Sequence, residues 1–192
     1  PQATALSRRL GTEPTIIAGR RVTDDQALEV AKMVYGGQLN IDLLASLREH
    51  RLQAVGLSGV DADLLTARRR PPVTVVDDAG VSRTVDYGHV GDIDGVDPRV
   101  LLTLVESRFV PVVASLAGDG EGNVYNVNAD TAAAALAIAL GAEKLLVLTD
   151  VEGLFREDDL TVINHECPST DIVAPIPKTF SFRCDPDALE DA

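Results

Sequence analysis

Residues 109–137 read FVPVVASLAGDGEGNVYNVNADTAAAALA. An apolar run, a glycine-rich turn, a cluster of short polar side chains and an alanine-rich helix follow one another without a break. The run from Phe109 to Ser115 is short and apolar almost throughout, the composition of a strand buried on both faces of a parallel sheet. Gly118, Gly120 and Gly122 mark a flexible turn. Asn126 and Asn128 lie two positions apart, so extended backbone puts both amides on one side, where they can grip a carboxylate or an amide of a small ligand. Asp130 stands at the helix entrance. It is either the N-cap or a carboxylate that orients cationic groups around a phosphate. The alanines that follow allow close packing on a sheet, which turns the amide-rich helix N-terminus toward the same place.

The same alternation runs outward in both directions. Residues 52–58, LQAVGLS, read as a second buried strand. Residues 22–37, VTDDQALEVAKMVYGG, predict a helix capped by Thr23, with Ala27, Val30, Ala31 and Val34 on its apolar face and Gly36-Gly37 as its stop. NIDLLASLREH, 40–50, is a second helix. DPRVLLTLVESR, 97–108, is a third, capped by Asp97 with Pro98 in its first turn. Between 71 and 88, VTVV and SRTVDY flank DDAG and predict a β-hairpin. LLVLTD, 145–150, is a further strand. Helices alternating with apolar strands predict an α/β fold: a three-layer αβα sandwich with a mainly parallel central sheet plus a local β-hairpin. No linker divides the chain, so 1–192 reads as one domain. From Asp158 the periodicity fades among Pro168, Pro175, Pro177 and Pro186, and the segment reads as loop-rich.

The chain has 30 acidic against 17 basic residues and a formal net charge of −13. That argues against non-specific nucleic-acid binding, which needs a basic face, and against an anionic membrane surface. It is 45% hydrophobic but only 4% aromatic, which predicts an aliphatic core. Cys167 and Cys184 have no metal-ligand spacing and read as free thiols. No apolar stretch is long enough to span a membrane and PQATALSRRL is no signal peptide, so a cytoplasmic protein is expected.

GRRVTDDQALEV (19–30), AVGLSGVDADLLTARRR (54–70), VDYGHVGDIDGVDP (85–98) and the stretch from Phe109 to TDVEGL (149–154), in this order and spacing, resemble the amino acid kinase family, and within it the branch that phosphorylates an acylated glutamate. The resemblance runs from Pro1 to about Leu154. It implies transfer of the ATP γ-phosphoryl group to the side-chain carboxylate of N-acetyl-L-glutamate, with ATP and Mg²⁺ as cofactors, in arginine biosynthesis. By position it implies that Arg21 holds the substrate α-carboxylate, a task suited to a forked guanidinium. It implies that Asn126 and Asn128 contact the acetylamino acid and that Asp130 organises the catalytic lysines. Thr149, Asp150, Val151, Gly153 and Leu154 would line the adenine and ribose. A homo-oligomer, dimer or larger, is implied as well. A carboxylate is already a nucleophile at neutral pH, so no general base is needed, and neither His50 nor His89 is assigned a role.

The sequence departs from the family at both ends. The family's first strand, with its phosphate-binding lysine and glycines, has no counterpart here, so the chain is expected to begin in mid-domain. Of the three lysines, Lys32, Lys144 and Lys178, only Lys178 at the end of TDIVAPIPK resembles the family's second catalytic lysine. Each electrostatic donor removed from such a site costs on the order of 10²–10³ in rate. Two further readings therefore stand beside the first. One is a kinase for an aminoadipate derivative in lysine biosynthesis, which the intact RVTD element disfavours. The other is an acyl-amino-acid-binding module without turnover.

Overall fold

The two apolar runs pair in parallel. Strand β3 (Ala54–Ser58) lies beside β8 (Val110–Ala114), with Ala54 opposite Val110 and Ser58 opposite Ala114. The computed structural model describes residues 2–18, 20–76 and 82–147. Residues 1–145 form one compact unit, whose elements are α1 (Gln2–Arg9), β1 (Ile16–Ile17), β2 (Arg20–Arg21), α2 (Asp25–Ala31), α3 (Asn40–Glu49), β4 (Leu65–Arg69), β5 (Val73–Val76), β6 (Ser82–Val85), β7 (Gly91–Val96), α4 (Arg99–Glu106), β9 (Leu116–Gly118), β10 (Val124–Asn126) and α5 (Ala129–Ala139), besides β3 and β8.

Side chains alternate across a strand, so β3 and β8 offer two different faces. Leu57 and Val113 pack on the main core with Leu101 of α4. On the other face Asn40 of α3 lies directly under Gly56: a Cβ there would come within 2.3 Å of Asn40 Oδ1. The Asn40 amide nitrogen donates to Leu57 O at 3.3 Å. Helices thus cover both faces of the parallel pair, and the α/β class and its three layers stand. The core is aliphatic as expected, its main cluster built on Leu64, Leu65, Ala67, Leu101, Ala117, Val127 and Ala132 beside Tyr125.

A second sheet runs β10-β9-β4-β7. β9 and β10 pair antiparallel, as do β4 and β7, while β4 meets β9 in parallel through Thr66 and Gly118. The sequence reading missed this sheet. LTARR and GDIDGV carry arginine, aspartate and glycine, which are poor strand formers alone. Pairing overrides that preference. Arg68 bonds Asp94 and Arg70 bonds Asp92 across the ladder. Gly91 leaves room for Tyr125, whose Cβ would lie 2.7 Å from an added side chain.

Four boundaries differ from expectation. Gly36-Gly37 do not end a helix: α2 passes through a π-helical stretch, Lys32–Leu39, straight into α3. Thr23 is not the cap of α2; Asp24 is, its Oδ1 accepting from Ala27 N at 2.8 Å. Residues 145–147 are not in a strand, and the rest of LLVLTD lies outside the described residues. The expected cap of α4 shifts by one residue: Pro98 takes the N-cap place instead of Asp97, whose Oδ1 still accepts from Arg99 N at 3.1 Å. The hairpin stands, with Val73–Val76 antiparallel to Ser82–Val85.

The glycine-rich turn is the tip of the β9–β10 hairpin and is held from within. Asp119 Oδ1 accepts from Glu121 N at 2.8 Å and Asn123 N at 3.1 Å, and Oδ2 accepts from Asn123 Nδ2 at 2.6 Å and the Tyr125 hydroxyl at 3.2 Å. These donors, the Asn123 amide foremost, hold the Asp119 carboxyl down at about 2. A carboxylate depressed in the folded state contributes stability that is complete above its ordinary range near 3.8 and is lost as pH falls toward 2. Urea unfolding across pH 5 to 2.5 should therefore show a steeper acid loss for the wild type than for Asp119→Asn. Parallel curves would remove the turn from the acid response.

Candidate functional site

Three segments far apart in sequence are laced together at Thr23. Its backbone N–H donates to Tyr87 O at 2.9 Å and its carbonyl accepts from His89 N at 2.7 Å. Its hydroxyl oxygen accepts from Asn126 Nδ2 at 3.3 Å. Asn126 N in turn donates to His89 O at 2.9 Å. Thr23 is completely buried, 0% exposed. The RVT, DYGHV and NVN elements therefore share one frame.

Two side chains clamp that frame. The Tyr87 hydroxyl donates to Ile17 O at 3.2 Å, tying the β1–β2 hairpin to residues 87–90. His89 Nε2 meets Asp25 Oδ1 at 2.7 Å, tying them to the start of α2. Gly88 sits between them with φ of +73°. A Cβ there would fall 2.3 Å from Thr23 O, so only glycine lets the two backbones approach this closely.

Arg21 stands two residues before Thr23, half-buried, and its Nη2 donates to the Thr4 hydroxyl. Among the described residues no carboxylate pairs with it. Most of its donor fork is thus unused by the described residues. Asn126, the next expected contact, is half-buried at the end of β10 and within the same frame.

Asn128, and not Asp130, takes the cap of α5. Asn128 is the N-cap of α5, its Oδ1 accepting from Thr131 N at 2.8 Å and from Thr131 Oγ1 at 3.0 Å. Asp130 is not the cap. It is half-buried in the first helical turn, where a negative charge complements the helix N-terminus. Thr149, Asp150, Val151, Gly153, Leu154 and Lys178 lie outside the described residues. Lys32 and Lys144 are exposed. Among the described residues no three His, Cys, Asp or Glu side chains come together as a metal site. The described residues thus offer Mg²⁺ no carboxylate cluster.

The sequence reading missed Thr23, Tyr87, Gly88 and His89. The signal was present in VTDD and DYGHVGD, but a threonine before two acids reads as a helix cap, and a histidine needs a partner to acquire a role.

A model of the amino acid kinase family matches residues 1–166. The chain belongs to that family. This family member is 54% identical over 157 residues to the acetylglutamate kinase of Frankia casuarinae, covering 82% of this chain and 42% of that one. It is 52% identical over 158 residues to the acetylglutamate kinase of Myxococcus xanthus, with 81% and 51% covered. The chain spans about half the length of the curated relatives it matches. In three dimensions it resembles the N-acetylglutamate synthase of Neisseria gonorrhoeae complexed with coenzyme A and N-acetyl-glutamate. That likeness has a TM-score of 0.60 and 28% identity over 81% of this chain and 33% of the other. It also resembles the smu.665 protein of Streptococcus mutans, with a TM-score of 0.67 and 27% identity over 81% and 59% of the two chains. Among the described residues of this amino acid kinase family chain, no helix is long and apolar enough to cross a membrane.

Proposed function

We propose that this chain carries the acyl-amino-acid-binding part of a cytoplasmic kinase that uses ATP and Mg²⁺ to phosphorylate the side-chain carboxylate of N-acetyl-L-glutamate, in arginine biosynthesis. The observation that carries the reading is the hydrogen bond from Asn126 to Thr23, which brings the Arg21 element and the NVN element into one frame. Acetylglutamate kinases at 52–54% identity support the substrate, and so does the synthase of similar fold complexed with N-acetyl-glutamate. Arg21 binds the α-carboxylate through its fork. Asn126 binds the acylamino group. The side-chain carboxylate, ionised at neutral pH with an ordinary pKa of about 4.3, attacks without a base. Asp130 acts at the α5 N-terminus, and Lys178 and residues 149–154 keep the catalytic and nucleotide-binding roles that the resemblance implies. Ile41 and Leu43, left in solvent on α3, support a homo-oligomer.

Calorimetric titration of N-acetyl-L-glutamate into the 192-residue chain tests the pocket. We expect binding that Asn126→Ala weakens at least 10-fold, and weaker binding of N-acetyl-L-aminoadipate. Asn128→Ala is the poorer control, because losing its cap also destabilises α5 by about 1 kcal/mol. A folded chain that binds neither ligand overturns the assignment. One observation favours a second reading, a binding module without turnover: neither described lysine belongs to the frame. Phosphoryl transfer from ATP to bound acetylglutamate would overturn that second reading.

A further inference from the structure

We propose that Tyr87 is a positioning residue: its hydroxyl latches the β1–β2 hairpin and so places Arg21 where the α-carboxylate of the ligand binds. The inference rests on the reading that Arg21 binds that carboxylate. The hairpin has two residue pairs, Ile16 with Arg21 and Ile17 with Arg20, and Ile16 is left in solvent. A two-stranded hairpin is marginally stable at best by itself, so its place depends on what it is tied to. Tyr87 ties it at both strands. The phenol donates to Ile17 O at 3.2 Å on β1. A backbone carbonyl has no proton to give, so the direction of that bond is fixed. On the other side the Tyr87 carbonyl accepts from Thr23 N at 2.9 Å, two residues beyond Arg21. The ring between these two bonds is 2% exposed, and the next residue, Gly88, lies close against Thr23 O. The phenol is therefore a fixed post.

The two ligand contacts ride on different elements. Asn126 belongs to β10, where it pairs with Leu116 of β9 and its N–H is held by His89 O at 2.9 Å. Arg21 belongs to the hairpin. Removing the phenol hydroxyl loosens the hairpin and spares β10. The backbone bond from Thr23 to Tyr87 survives that change, so the frame around Thr23 stands. What changes is the reading of the α-carboxylate, while the rest of the ligand is held as before.

The test compares N-acetyl-L-glutamate with N-acetyl-L-isoglutamine, in which a neutral carboxamide replaces the α-carboxylate, on the whole chain. Ligand-observed NMR titration reads the weak affinity expected of the second compound. The wild type should prefer the acid by at least about 30-fold. Tyr87→Phe keeps the ring and removes the donor. It should weaken binding of the acid by about 3- to 10-fold and leave the carboxamide within about 2-fold of wild type. Tyr87→p-aminophenylalanine puts an N–H donor back in the same place and should restore the preference. A merely structural tyrosine would weaken both ligands alike and leave their ratio alone. An unchanged ratio in Tyr87→Phe overturns the proposal, and so does a p-aminophenylalanine variant that behaves as Tyr87→Phe does. Loss of the cooperative urea transition in Tyr87→Phe overturns it as well, because a latch that only places Arg21 leaves the core standing. A folded wild type that does not distinguish the two compounds, or binds neither, overturns instead the functional reading beneath it.

Discussion

Gly88→Ala should cost the chain stability and ligand binding together. Gly88 has φ of +73°, a conformation that costs an L-residue about 1–2 kcal/mol. The added Cβ would also stand 2.3 Å from Thr23 O and 3.0 Å from Thr23 C. Those are backbone atoms, so no rotamer change relieves the overlap, and residues 88–90 must move off Thr23. The expected destabilisation is roughly 2–4 kcal/mol in all. The His89 bonds to Thr23 and Asn126 would stretch with it, so N-acetyl-L-glutamate binding should weaken more than 10-fold even where the variant is folded. Gly120→Ala supplies the comparison. Gly120 has φ of +78° with nothing within 4 Å of its Cβ, so it isolates the conformational cost. Urea unfolding and calorimetry of both variants decide the matter. Equal losses in the two would mean that the close approach at Gly88 is not what holds the frame.

What the sequence disclosed follows from how local each signal was. AVGLS and VPVVA were legible as buried parallel strands because apolar runs that short have few other uses. The hairpin at 73–85 was legible from its turn residues. LTARR and GDIDGV were not, because their strand character comes from cross-strand pairing and from the missing side chain of Gly91, neither of which is written in the segments themselves. Gly36-Gly37 failed as a stop for the same reason. Helix on both sides and packing against Leu116, 3.7 Å from a Cβ at Gly36, outweigh the local preference of glycine.

The site divided along the same line. Arg21, Asn126, Asn128 and Asp130 could be named because each sits in a segment whose residue types suit one chemistry. The caps show the limit. Thr23 and Asp130 both occupied plausible N-cap positions, yet Asp24 and Asn128 took those places. A cap is decided within one residue by where the chain enters the helix, which tertiary contacts settle. Displaced from capping, Thr23 became the point where three segments meet, and no periodicity or spacing could have announced a contact between residues 103 positions apart.

Arg21→Ala should weaken N-acetyl-L-glutamate binding by two orders of magnitude or more. Removing one partner of a hydrogen-bonded charge pair at a partly desolvated site costs roughly 2–5 kcal/mol, most of it from leaving the other charge without a counterion. The surrounding charge sharpens the effect. In a chain of net charge −13, an anionic ligand approaches against a negative background, and a local cation must outweigh it. Arg21→Lys keeps the charge but loses the fork, so it should recover only part of the affinity. The Thr4 hydroxyl, which accepts from Arg21, separates binding from scaffold. If that bond merely parks the guanidinium, Thr4→Ala frees it, and affinity should stay within about 3-fold of wild type, since a neutral hydrogen bond contributes only about 1 kcal/mol net. If Thr4→Ala weakens binding as much as Arg21→Ala, the arginine acts by anchoring α1 to the hairpin and not by meeting a carboxylate. Raising salt discriminates once more. A half-buried ion pair to the ligand is screened less than a surface one, so wild-type affinity should fall only modestly between 50 and 500 mM salt. A collapse over that range would put the contact at the surface and return Arg21 to the role of an ordinary solvated cation.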